Sequence, residues 1–227
     1  MPIPAMIMLA LAQSAPPAEL AANQPIPGPF HPLILNGNLA GRYHCPLSDF
    51  GSRPFALVLV RGTDVPEGFK EMLAELDALV AKSSPAALRS AVVFVEDKLA
   101  MPLYLANAER KAARDKIDTA LGFATEPKME NKNPYPSIFV GLDSAELLKS
   151  YPIPEGAAAV AILAREYKVK SVEKIPDGQL NAEKWKSLLE TIDAKLVDKT
   201  LAPVIRPRLK PRAPVAEPPA APPPATQ

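Results

Sequence analysis

Between residues 55 and 197 the apolar positions fall into two alternating rhythms. Phe55-Ala56-Leu57-Val58-Leu59-Val60 is a continuous apolar run of strand length, as expected of a strand covered on both faces. Over residues 67–82 the spacing changes: Phe69, Met72, Leu73, Leu76, Leu79 and Val80 recur on one side of a 3.6-residue period, which predicts a helix. Ala91-Val92-Val93-Phe94-Val95 predicts a second buried strand ending at Glu96-Asp97. A charged, Ala-rich helix is expected over 103–121, with Leu105, Ala108, Ala112, Ile117 and Leu121 inward and Gly122 as its stop.

A polar loop over 122–136 holds Pro127, Pro134 and Pro136; it reads first as a solvated connector, and Tyr135 between the last two prolines makes it the candidate lip if the domain binds a ligand. Ser137-Ile138-Phe139-Val140 predicts a third strand, and Ala145–Ser150 a short helix. Residues 158–164 and 168–175 read as a hairpin turning at Arg165-Glu166. Lys168, Lys170 and Lys174 place its second strand near a sheet edge, since lysine discourages pairing with further strands. Pro176-Asp177-Gly178 makes a turn into a final helix. There Asn181 is the expected cap, and Trp185, Leu188, Leu189, Ile192 and Leu196 form the buried stripe. The order β-α-β-α-β-(α)-β-β-α predicts an α/β fold with parallel strands first and an antiparallel hairpin last.

That order, the terminal hairpin and the Asp177-Gly178 turn into the Trp185 helix resemble the thioredoxin-like superfamily over about residues 41–197, in its peroxiredoxin and alkyl-hydroperoxide-reductase arrangement. The resemblance implies a thioredoxin-like mixed β-sheet covered by helices. It is also similar to exported bacterial members in which Cys-x-x-Cys precedes the first long strand; Cys45-Pro46-Leu47-Ser48 matches half of that pair. Thioredoxins keep their cysteines at the start of the helix after the strand, where the helix dipole favours a thiolate. Here that loop reads Arg61-Gly62-Thr63-Asp64-Val65-Pro66, without sulfur. Asp64 is expected to cap the helix, with Pro66 in its first turn. The acidic residues Asp64, Glu67, Glu96 and Asp97 at strand ends are read as caps before they are read as ligands.

With 28 prolines in 227 residues, the chain far exceeds ordinary usage, and the excess lies near its ends. Four segments are expected: a signal peptide over 1–12, a Pro-rich extended lead-in over 13–40, the domain over 41–197, and a Pro-rich basic tail over 198–227. Residues 3–12 are apolar and Ala10-Leu11-Ala12 fits a cleavage site, so the protein is expected to be exported, periplasmic or secreted; it is cytoplasmic if that segment is no signal. The run is too short to span a bilayer, and no transmembrane segment is expected in the mature chain. Leu33-Ile34-Leu35 is expected to dock on the domain.

Lys+Arg number 26 against 25 Asp+Glu, so no broad basic footprint for nucleic acid is present. Arg206, Arg208, Lys210 and Arg212 in the tail suit an anionic or envelope partner, or serve only as a solubilising spacer. A single cysteine allows no internal disulfide. Cys45 reads as a small buried hydrophobe; alternatively it forms an intermolecular disulfide or senses redox state, or it is a nucleophile, with His44 or Arg42 favouring the thiolate and Ser48 assisting. The spacing of His31, His44 and Cys45 matches no zinc pattern, and no cofactor is implied. Two readings follow: a binding or structural module without disulfide exchange, and a single-cysteine thiol oxidoreductase or peroxidase using Cys45.

Overall fold

The computed structural model describes residues 20–83, 86–97, 99, 108–123, 133–144 and 149–198. Its elements are β1 (Leu33–Ile34), α1 (Pro46–Phe50), β2 (Phe55–Arg61), α2 (Phe69–Lys82), β3 (Arg89–Glu96), α3 (Ala108–Leu121), β4 (Phe139–Ser144), β5 (Ala157–Arg165), β6 (Lys168–Pro176) and α4 (Ala182–Leu196). They build one sheet in the order β1-β4-β3-β2-β5-β6. β2, β3 and β4 are parallel, as the strand–helix alternation predicts. β5 runs antiparallel to β2, β6 antiparallel to β5, and β1 antiparallel to β4.

Alternation along β2 explains its unbroken apolar run. Ala56, Val58 and Val60 join one core with residues of α2, α3 and α4, whereas Phe55, Leu57 and Leu59 join a second core on the other face. In the first core Trp185 is fully buried and donates from Nε1 to the Met72 carbonyl at 2.7 Å, tying α4 to α2. Asn181 caps α4 as expected, accepting from the Lys184 N–H at 3.0 Å.

Among the described residues no long helix covers the second core. Phe30, Phe50, Tyr151 and Ile153 close it, with Leu20 and Ile26 packed against them. The lead-in therefore belongs to the packed structure. At one edge of the sheet Asn23 donates to the Val169 carbonyl and Val169 to that of Gln24; at the other, Leu33 and Ile34 pair with Leu142 and Gly141. The expected docking of Leu33-Ile34-Leu35 is realised as an edge strand. Two-sided burial demands a cover, and here an extended proline-rich strap provides much of it.

Three expectations change. The third strand runs to Ser144 instead of stopping at Val140. Gly141 breaks its apolar pattern because Pro32 crosses there: a Cβ on Gly141 would meet Pro32 Cβ at 3.1 Å. At its other end Ser137 and Ile138 are held by side chains, Ser137 N donating to Asp77 and Ile138 O accepting from Asn36.

The inner face of α3 is also rotated. Ala108 and Ala112 are exposed, whereas Arg110, Ala113, Ile117, Asp118 and Leu121 are buried; Leu105 lies outside the described residues. An arginine and an aspartate on the inward stripe defeat a count of apolar positions. Gly122 does end the helix, at φ +72°, with Phe123 N–H donating to the Asp118 carbonyl at 2.9 Å in the Schellman manner.

Finally, the hairpin turns at Glu166-Tyr167, one residue later than expected, and both adopt positive φ (55° and 59°). A two-residue loop of that handedness matches the twist of its flanking strands. Of the expected helix at 145–150, residues 145–148 lie outside the described residues, as do the proposed signal segment and the tail from residue 199.

Candidate functional site

In an open sheet with parallel strands, chemistry concentrates where the strands' carboxyl ends open into loops. At that end β2 finishes on Arg61, and the loop to α2 follows. Arg61 carries five N–H donors in a planar fork, which suits several carbonyls at once. Its Nη2 donates to the Ile153 carbonyl at 2.7 Å and to that of Pro154 at 3.4 Å; Nε donates to the Ala157 carbonyl at 3.4 Å. Nη1 meets Asp97 Oδ2 at 2.8 Å. One guanidinium thus ties the end of β2 to the end of β3 and to the segment entering β5.

The loop residues beyond it are occupied too. Thr63 is buried, and its hydroxyl donates to Glu96 at 3.3 Å. Asp64 does not cap α2. The helix begins at Phe69 with left-handed Gly68 as its cap residue, because Phe69 N–H closes a turn onto the Pro66 carbonyl first. Asp64 instead pairs with Lys116, which holds its carboxyl below the usual range by hydrogen bonding and charge. The capping role expected of Asp64, Glu67, Glu96 and Asp97 is therefore replaced: Asp97 pairs with Arg61, Glu96 accepts from Thr63, and Glu67 is exposed.

Cys45 lies elsewhere. It is the extended residue before α1, 4% exposed, and its side chain makes no capping bond. Phe50, at the end of α1, stacks on Phe55 and Phe139 at 5.2 and 6.0 Å, the first residues of β2 and β4. Arg61 ends β2 six residues further on, about 20 Å away. Tyr151 lies close enough to Cys45 that a negative sulfur would oppose ionising its phenol, which burial above all pushes up; its hydroxyl donates to the Gly28 carbonyl.

The three residues expected to form a thiol site do not converge. His44 Nε2 pairs with Asp49 Oδ2 at 2.8 Å, turning the imidazole to a carboxylate. Ser48 is exposed and meets Cys45 only through backbone, its N–H donating to the Cys45 carbonyl at 3.2 Å. Among the described residues no group of three potential metal ligands gathers.

Tyr135 is no lip. It is 2% exposed, lies edge-on to Phe123 at 5.8 Å, and donates its hydroxyl to the Lys70 carbonyl at 3.2 Å. Burial first, then the charges of Glu71 and Asp77, push its phenol up to about 12. The two prolines beside it read as a surface loop, yet they deliver an aromatic inward. Arg61 carried no signal in the sequence, because a basic residue ending a strand is ordinary until the carbonyls facing it are known.

Compared with solved structures, the chain superposes on a 1-Cys peroxiredoxin of yeast mitochondria with TM-score 0.50 at 12% identity, covering 78% of this chain and 76% of that one. The chain has a thioredoxin-like fold. The thioredoxin-like domain also matches a secreted Mycobacterium tuberculosis disulfide oxidoreductase homologous to E. coli DsbE (TM-score 0.44, 11% identity, 73% and 95% covered). A mitochondrial 2-Cys peroxiredoxin from Plasmodium falciparum matches at TM-score 0.46 and 11% identity, covering 77% and 93%. No family model matches the sequence, and no curated protein matches it. The sequence holds a single cysteine and therefore no Cys-x-x-Cys pair.

Proposed function

We propose that this protein is an exported thioredoxin-like module that binds a partner and does not exchange disulfides. The observation that carries this reading is Arg61. At the carboxyl end of β2 its guanidinium engages three carbonyls and Asp97, so the helix-entry loop is a structural joint. The burial of Cys45, and the engagement of His44 by Asp49, weigh against a one-cysteine oxidoreductase or peroxidase built on Cys45, Ser48 and His44.

Export rests on the apolar run 3–12, which ends in Ala10-Leu11-Ala12. Among the described residues, no helix is long and apolar enough to cross a membrane. Partner binding is assigned to the folded domain together with the basic run Arg206, Arg208, Lys210 and Arg212 in the segment 198–227.

The test is insulin reduction with dithiothreitol, run beside thiol labelling of Cys45. Turnover is expected to equal the reductant alone, and labelling to be slowed in the native protein about a hundred-fold or more relative to the unfolded chain, because the thiol must await local opening. Turnover that disappears in Cys45→Ser, or labelling as fast as in the unfolded chain, would establish the enzyme reading instead.

A further inference from the structure

We draw no further inference here: the strongest candidate, the side-chain cluster at the carboxyl end of β4 where the buried Ser144 hydroxyl has no hydrogen-bond partner beside Glu96 of the neighbouring strand, selects no ligand chemistry, because that carboxylate already accepts from Thr63 and no group of three potential metal ligands gathers among the described residues.

Discussion

Asn36 shows how much one buried polar side chain can hold. At 4% exposure its Nδ2 donates to the carbonyls of Ile138 (2.9 Å) and Tyr135 (3.1 Å), and its Oδ1 accepts from Val140 N–H at 2.8 Å. It therefore supplies, from the lead-in, partners for the Tyr135 and Ile138 carbonyls ahead of the β3–β4 ladder and for the Val140 N–H on the edge of β4 away from β3. Asn36→Ala would leave one donor and two acceptors buried without partners. A loss of about 3 kcal/mol in urea unfolding is expected, on the basis of 1–3 kcal/mol for a buried group left unsatisfied. Nothing in the sequence marks this asparagine, because its value depends on residues roughly a hundred positions away. Cys45 is the converse case: conspicuous in the sequence for its chemistry, it occupies an apolar site before a five-residue helix.

At the scale of elements, the β5–β6 hairpin combines a strong ladder with an unfavourable turn. Eight residue pairs join the strands, while Glu166 and Tyr167 both occupy the left-handed region that asparagine and glycine prefer. The joint variant Glu166→Asn/Tyr167→Gly is expected to raise stability by about 1 kcal/mol, by relieving left-handed strain at non-glycine residues. Chemical denaturation reads this gain directly, and an unchanged or lower midpoint would contradict the strain. The turn's existence was legible from the alternation on either side. Its position was not, since a one-residue slip preserves the apolar count until the partner strand fixes the register. The same ambiguity displaced the inner face of α3, where Arg110 and Asp118 point inward.

For the whole molecule, buried carboxyls set the response to pH. Burial raises Asp77, Asp118 and Asp143 above the ordinary carboxylate value, outweighing for Asp118 the opposing pull of Arg114. A raised native value means the folded state binds more protons than the unfolded one, so this contribution to stability falls as pH rises through the window above about 4. Glu173, lowered chiefly by its hydrogen bond from Lys195, acts the other way and loses its contribution as pH falls. Asp118→Asn should therefore be more stable than the parent at pH near 7, with the advantage shrinking as pH falls and gone below about pH 3, where the parent carboxyl is protonated in both states. Urea titrations of the two proteins across that range provide the check; an advantage that grew in acid would reverse the assigned direction.

The amino-acid sequence by itself determined the order and kind of the elements, the parallel-then-antiparallel sheet and the sulfur-free loop after β2. These are set by local periodicity and composition, which need no knowledge of partners. Tertiary structure alone decided that Arg61 closes the carboxyl end of that strand, that Tyr135 turns inward, and that the lead-in straps the open face. Each depends on groups distant in the chain being brought within bonding distance, and no pattern along a single segment encodes that.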